Sequence, residues 1–488
     1  MEPRTAEPIA LGEYLAFAGE PTAGPVCRTP DGIRLRRDAI GHRSVFYRVD
    51  ANGVWFGPSL AGIAAQKPQL NLESLGSYLS CAYVPGTQTL LQGHFAVAPG
   101  TEVTVSPSGQ AVTTSTWELP STPLEWEDEA ALREELRAGL EDAVRRRLPS
   151  PETSVAATVS GGVDSSLVVA LVRRLHAGPL AAHSIAFGPE YPNELEFSGS
   201  VAEHLGVPHR VLQIHHTDIA SSFDATIRAL AEPNGDPLTV PNYLMFKEIG
   251  GGSLFNGEGG DPCFGGPKNA PMMLDLLLGE GSEAMAAGYL RAHQRMYDDR
   301  RISLKGDVFS RLSTDRLEDV IGEFLTSEKW PGLVDRLMAI NVVFKGGWHI
   351  LPKVESLGAE HGVTPCSPLF DRRLVELAFR IPGPLKRRGA IEKYLLKEAV
   401  RDLLPEAIIE RPKSGMMVPV EPWFSGPLRG WASERLLDGL SRFDLFERRW
   451  LEDLVRGKTG GLRPRRGIKI WQLLTLESWL RAVDARVA

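Results

Sequence analysis

The spacing of apolar positions along this chain changes character near residue 128. From residue 12 to about 118, short apolar runs alternate with Gly, Pro and Asn breaks, as in Val45–Val49, Asp50-Ala51-Asn52-Gly53 and Val54–Phe56. Two such runs flanking Asn-Gly predict a hairpin, because both central residues of that turn need positive φ. Gly100–Val105 and Ala111–Thr116, split by Pro107-Ser108-Gly109, read as further strands, and Leu72–Leu79 as a short helix. A connector at Leu119–Asp128, with two prolines and several acids, marks the boundary. Apolar residues then recur at helical spacing over Glu129–Arg147. Beyond it, strands predicted at Val155–Val159, Ala181–Phe187, Arg210–Ile214 and Ser253–Phe255 alternate with helices near 165–176, 194–205 and 217–230. That alternation predicts an α/β fold with a parallel sheet, helices on both faces and a ligand at the carboxyl ends of the strands. Residues 270–488 read as largely helical. The expected organisation is a mostly β domain over 1–122 and a parallel-sheet domain with a large helical C-terminal part over 128–488.

Two segments carry candidate chemistry. After the strand at 155–159 come Ser160, Gly161, Gly162, Val163, Asp164, Ser165 and Ser166, and then an amphipathic helix. Glycines let backbone amides approach an anion, the helix start adds unsatisfied N–H groups, and the serines add hydroxyls, so the loop reads as a phosphate cradle. Asp164 would repel phosphate unless a cation lay between, which makes it a Mg²⁺ ligand candidate. The Walker pattern and its lysine are missing here. The second segment, Asn256-Gly257-Glu258-Gly259-Gly260-Asp261-Pro262-Cys263-Phe264-Gly265-Gly266, also follows a predicted strand. If the two loops face one another, Asp261 approaches Asp164 closely enough to share one Mg²⁺.

Composition narrows the partners. The 488 residues are 43% hydrophobic with a net charge of −7, which offers no electrostatic footprint for nucleic acid. No run approaches the ~20 apolar residues of a membrane span, and the start lacks a signal pattern, so a cytoplasmic protein is expected. Cys27, Cys81, Cys263 and Cys366 are too scattered for a zinc knuckle or disulfide framework and read as reduced thiols, with Cys263 and Cys366, inside motifs, either small buried thiols or pocket-lining ones. Oligomeric state is not readable.

The pairing of SGGVDSS with NGEGGDPCFGG resembles the synthetase domain of the asparagine synthetase family, within the PP-loop ATP pyrophosphatases. Its relatives include the β-lactam synthetases and lasso-peptide cyclases. Ala231-Glu232-Pro233 with Asp236, Pro368-Leu369-Phe370-Asp371, Lys393-Tyr394-Leu395-Leu396-Lys397, Arg411-Pro412-Lys413 and Trp471-Gln472-Leu473-Leu474 agree, in order. More weakly, Arg37–Gly41, Tyr83–Leu90 and Ala98-Pro99-Gly100 are similar to the later half of the family's glutaminase domain. The glutamine-using members carry a cysteine after the initiator methionine, where this chain has Glu2. The implied N-terminal domain is therefore a shortened glutaminase-like scaffold without its nucleophile.

The resemblance implies MgATP-dependent adenylation of a carboxylate, release of pyrophosphate and capture of the acyl group by an amine. Ser160, Gly161, Gly162, Asp164, Ser165, Ser166 and Gly257, Glu258, Gly259, Gly260 would hold the phosphates, with Asp164 and Asp261 on Mg²⁺. Val159 and Ile185 would flank adenine, and Lys413 would contact phosphate and the tetrahedral intermediate. Asparagine synthetases place a glutamate, and β-lactam synthetases a tyrosine, where Thr364 stands. That leaves the base for the amine unassigned among Lys353, Glu355, Glu360 and His361. Without glutaminase chemistry the amine is free ammonia, a separate substrate or part of the same molecule, and specialised metabolite or peptide biosynthesis, lasso-type cyclisation included, is the expected setting. Two other readings are a PP-loop enzyme acting on tRNA and a catalytically silent nucleotide- or peptide-binding partner.

Overall fold

The computed structural model describes residues 26–121, 128–266, 281–312, 315–412, 417–458 and 465–487. The N-terminal strands are Val26–Thr29 (β1), Gly32–Arg36 (β2), Phe46–Asp50 (β3), Gly53–Gly57 (β4), His94–Ala96 (β5), Thr101–Val105 (β6) and Ala111–Ser115 (β7). They form two antiparallel sheets, ordered β1-β2-β6-β7 and β4-β3-β5. The hairpin forms, but its turn residues are Ala51 and Asn52, neither at positive φ; Asp50 pairs with Gly53, and only Gly53, at φ +128°, takes positive φ there. Leu35, Val45, Val97 and Val105, all nearly inaccessible, form a core of their own here.

Leu72–Cys81 is helical, as its pattern predicts; the Asn71 side chain accepts from the Ser74 N–H and caps it. This helix fastens the N-terminal sheets to the far end of the chain. The Tyr78 hydroxyl donates to the Gln472 carbonyl (2.8 Å), and the Gln472 amide donates back to the Tyr78 and Leu79 carbonyls (2.7 and 3.1 Å).

Val155–Thr158 (β8), Leu180–Ala186 (β9), His209–Gln213 (β10), Gly252–Phe255 (β11) and Val363–Cys366 (β12) form a parallel sheet in the order β10-β9-β8-β11-β12. The chain builds outward from β8 to β10 and then crosses to β11, so the order reverses between β8 and β11. Loops leaving two such strands diverge to opposite faces and open a crevice between them. The helix Val163–Leu175 packs Leu167, Val168, Val169, Leu171 and Val172 out of solvent, each contributing roughly 1.5–3 kcal/mol of burial. Four strands lie within a residue or two of their expected places. β12 was expected only as part of a family segment; it carries Pro365, which cannot donate to a ladder and is tolerated because β12 pairs with β11 alone.

The helical part contains an unexpected element. Leu333–Ile340 runs directly into a π-helix, Asn341–Ile350, and then into Leu351–Glu360. Such wide turns are rare and concentrate at functional sites. The N-terminal sheets press against this one. A Cβ on Gly347 would lie 2.8 Å from the Pro99 ring and 3.0 Å from the Ile40 carbonyl oxygen. The buried Arg37 guanidinium donates to the carbonyls of Val97, Gly41 and Gly347 and lies 4.7 Å from the Trp348 ring centre. Among the described residues no helix is long and apolar enough to cross a membrane.

Candidate active site

The loop after β8 turns through Gly161 at φ +78°, where a Cβ would sit 2.4 Å from the Phe197 Cβ and 2.8 Å from the Ser198 nitrogen. Only glycine meets both demands. Ser165 Oγ accepts the Ser160 N–H at 3.0 Å and donates to the Gly162 carbonyl, drawing the loop onto the first turn of the helix. After β11, the Asn256 side-chain oxygen accepts from Ser367 Oγ (2.9 Å) and the Glu258 N–H (3.1 Å) and fixes the second loop. The two loops meet. A Cβ on Gly257 would lie 2.4 Å from the Ser165 nitrogen, and one on Gly260 2.1 Å from Asp164 Cγ.

The carboxylates of Asp164 and Asp261 converge on one point, as their sequence context predicts. At that point sits the ammonium of Lys393, 2.5 Å from Asp164 Oδ2 and 2.5 Å from Asp261 Oδ1. Lys393 is 1% exposed and left-handed (φ +55°), capping the helix Tyr394–Val400. Sequence reasoning noticed Lys393 only as a member of a family segment. A lysine is by default a surface residue, and its burial against acids far away in sequence has no local signature. The ammonium marks a cation-sized position. Among the described residues no three His, Cys, Asp or Glu side chains cluster as a metal site. A divalent ion here would complete its shell from non-protein oxygens, as Mg²⁺ does with one or two carboxylates plus phosphates.

Both loops open into a cavity of about 610 Å³, lined on this side by Val159, Ser160, Asp164, Ser165, Ile185, Asn256, Gly257, Glu258, Gly259 and Asp261. A smaller cavity of about 260 Å³ shares Val159, Ser160, Ser184, Ile185 and Glu194 with it and adds Phe187 and Arg411. Val159 and Ile185 thus present apolar surface where the two spaces join. Arg411 pairs with Glu194, donates to the Gly161 carbonyl (3.3 Å) and lies 3.8 Å over the Phe197 ring. Gly161, Gly162 and Gly260 shape the loops without lining the cavity. Ser166 is fully buried in the helix rather than offered to a ligand.

The candidate bases lie elsewhere. Lys353 is buried with its ammonium 2.7 Å from Asp236 Oδ2. Glu355 sits near His42, Arg43 and Arg147, its carboxyl pushed up to about 7 by burial. His361, at the end of its helix, packs edge-on to Tyr243 with ring centres 4.5 Å apart. None of the three lines the cavity, nor does Glu360; Thr364 is exposed on the edge strand. Lys413 lies outside the described residues. Cys263 and Cys366 are buried, and burial pushes the Cys366 thiol up to about 12.

A second wall, which the sequence did not disclose, closes the cavity. It comprises Tyr289, His293, Arg295, Asn341 and Lys345 of the helical part, with Arg465. His293 Nδ1–H donates to the Tyr289 carbonyl (2.8 Å). Burial, reinforced by the charges of Lys345 and Arg295, pushes this imidazole down to about 3 and keeps it neutral.

Two glycine loops, two carboxylates converging on one ammonium and an adjoining cavity make up the site. The chain is 23% identical over 477 residues to asparagine synthetase [glutamine-hydrolyzing] 1 of Bacillus subtilis, covering 91% of this chain and 74% of that protein. It is 26% identical over 395 residues to carboxyethyl-arginine beta-lactam-synthase of Streptomyces clavuligerus, covering 80% of this chain and 63% of the relative. Among solved structures, the glutamine-dependent NAD+ synthetase of Acinetobacter baumannii in complex with ADP aligns over 82% of this chain and 64% of its own, with 14% identity and a TM-score of 0.21. The asparagine synthase family model matches residues 135–481, from the helix before β8 to the last turns of the C-terminal helix, and so takes in both loops and both walls. The chain belongs to the asparagine synthase family.

Proposed function

We propose that this protein is an ATP-dependent carbon–nitrogen ligase that adenylates a carboxylate, releases pyrophosphate and passes the acyl group to an amine. Family membership supports the reaction class. The observation that carries the reading is the convergence of the Asp164 and Asp261 carboxylates on Lys393 at the mouth of a cavity floored by two glycine loops. With nucleotide bound, Ser160, Ser165 and the amides of Gly257 and Gly259 face the phosphates, and Val159 and Ile185 face the base. Asp164 and Asp261 would hold Mg²⁺, which would supply charge neutralisation for the leaving pyrophosphate. Lys393 then has phosphate oxygens within reach, so the ammonium that balances two acids in the free protein serves the leaving group during reaction. Lys413, two residues beyond the Arg411–Glu194 pair, is the candidate second cation at the acyl centre.

The acid and amine are small molecules or a peptide terminus, joined without hydrolysis of glutamine by this chain. Cys81, in the N-terminal module, is buried with its thiol pushed up to about 12, which makes that cysteine a poor source of thiolate. That module acts as the buttress of the π-helix, and residues 1–122 are read as a glutaminase-like scaffold beside a synthetase domain at 128–488. Biosynthesis of a specialised metabolite is the setting.

The test is isotopic. Purified protein, MgATP, a panel of carboxylic acids bearing ¹⁸O and an amine acceptor are expected to give pyrophosphate, the amide and AMP with one ¹⁸O in the phosphate. Formation of ADP and inorganic phosphate, with ¹⁸O in the phosphate, would replace adenylation with acyl-phosphate chemistry.

A further inference from the structure

The larger cavity continues beneath the strand ends, against one face of the parallel sheet. Side chains alternate between the two faces of a strand. Ala157, Val159, Ala182 and Phe255 pack into one core, whereas Ala156, Ile185 and Leu254 pack into the other, with Val240 and Phe246 of the helix Thr239–Ile249. By the same alternation Thr158 and His183 fall on the second face, where they are direct partners across β8 and β9. Thr158, His183 and Leu254 form the sheet side of a chamber whose other side is the stripe Leu238, Asn242 and Met245. Ile350 and Val354 also border it. The base of the nucleotide, placed at Val159 and Ile185, has the smaller cavity to enter. That one opens on the opposite face, along Ser184, Leu195 and Ser198.

The chamber is apolar and holds no Asp, Glu, Lys or Arg among the residues just named. Leu254, Met245 and Val354 are 2–3% exposed, and they line the cavity. Three uncharged polar groups interrupt this surface. His183 is 5% exposed, and neither its ring, the Asn242 amide nor the Thr158 hydroxyl has a hydrogen-bond partner among the described residues. Burial, with the charge of Arg210 added, holds the imidazole below its ordinary value against the pull of Glu248, so it is neutral. A neutral imidazole, an amide and a hydroxyl each offer a donor and an acceptor. Buried groups of this kind are almost always satisfied, and an apolar pocket with a few convergent polar groups is the ordinary form of a small-molecule site.

We infer that the acid substrate carries an apolar arm ending in an uncharged hydrogen-bonding group, and that this arm enters the chamber so that its end meets His183, Thr158 and Asn242. This rests on the ligase reading, which places the reacting carboxylate near the phosphate loops. An arm ending in a charge fits poorly, because no chamber residue would pair with it.

The test is calorimetry on the full chain saturated with Mg²⁺ and α,β-methylene-ATP, so that the phosphate loops and the base site are filled. The probes are butyrate, 4-phenylbutyrate, 6-phenylhexanoate and the para-hydroxy and para-carboxy forms of the two phenyl acids. At least one phenyl acid is expected to bind at least about tenfold more tightly than butyrate. Its para-hydroxy form should gain about threefold more, and its para-carboxy form should lose the gain. Leu238→Asn should lower the phenyl preference about threefold. Asn242→Leu and His183→Phe should erase the hydroxyl preference and keep the phenyl preference, in protein that still melts cooperatively. Phenyl acids no tighter than butyrate, a para-carboxy form as tight as the para-hydroxy one, or a hydroxyl preference untouched in both variants overturns the inference. So does a loss of affinity for α,β-methylene-ATP in those variants with acid preferences unchanged, which would assign the chamber to the base. Pyrophosphate release is scored separately. Release without phenyl preference defeats this inference alone, whereas phenyl preference without release from any acid defeats the ligase reading.

Discussion

The sheet wall and the helical wall of one cavity are assembled by opposite means. On the sheet wall each functional group sits within a few residues of a strand end, so local chain geometry places it: Asp164 on the first turn after β8, Asp261 just after β11. On the helical wall the groups come from the helix Gly281–Ala292 and the residues after it, the π-helix, and the start of the C-terminal helix, and only tertiary packing brings them together. The first wall carries the carboxylates Asp164, Glu194, Glu258 and Asp261, and the second the cations Arg295, Lys345 and Arg465.

The contrast is broken most severely at Lys393, which belongs to the sheet wall in space but to the helical part in sequence. Lys393→Met leaves the Asp164 and Asp261 carboxylates facing one another without a cation. Removing one member of a buried ionic set costs about 3–5 kcal/mol, so the thermal midpoint should fall sharply. Mg²⁺ alone should raise that midpoint more in the variant than in the parent, because the vacated position suits a divalent ion. A variant as stable as the parent would show that the triad is not strained by charge. Next in size, Asp164→Asn or Asp261→Asn should cut pyrophosphate release about 10²–10³-fold and lower the melting midpoint less than Lys393→Met, because one carboxylate still faces the Lys393 ammonium. Retained release in both would remove them from the phosphate machinery.

These variants lie on the wall that was legible. The two glycine loops, their strands and the shared focus of Asp164 and Asp261 could be read from residues 155–166 and 253–266, because strand, tight turn and helix start are local and glycine is demanded by backbone conformation. Lys393, Lys345, Arg295 and Arg465 could not. A lysine or arginine written in sequence carries no mark of burial, and the π-helix is indistinguishable from an α-helix by apolar spacing. For the same reason proximity along the chain to the Pro368–Asp371 segment points to Lys353, Glu355, Glu360 and His361 as bases, whereas that stretch gives the cavity the apolar Val354, and the polar lining comes from Lys345 and from distant segments. Even β12 was obscured, since Pro365 reads as a strand breaker until its edge position is known.

The N-terminal module tests whether the helical wall depends on remote support. Arg37→Met deletes the donors to the Gly41, Val97 and Gly347 carbonyls and leaves those oxygens buried, a loss of about 1–3 kcal/mol. Because Gly347 lies within the π-helix, the expected signature is a weaker apparent affinity for the acid with the affinity for ATP nearly unchanged. An equal loss for both would mean that the module supports the whole fold rather than one wall.

The smallest effect is a slope in pH at the same seam. Glu232 is 6% exposed, beside Ala231, whose carbonyl accepts the Leu60 N–H at 2.8 Å from the N-terminal module. Burial pushes its carboxyl up to about 8 from an ordinary 4.5, against the opposing pull of Arg37. Below pH 4.5 the group is protonated in both folded and unfolded chains, and the contribution of the neutral form to stability is fully present. As pH rises from 4.5 to about 8 the unfolded chain gives up its proton first, so stability falls by at most about 1.4 kcal/mol per pH unit and then levels. Glu232→Gln should flatten that decline, measured as denaturant midpoints between pH 5 and 8. Arg37→Met should extend it to higher pH, because the one charge that favours the ionised carboxylate is gone. If the Gln variant retained the parent's slope, proton uptake would reside in another buried acid, with Glu355 the next to replace.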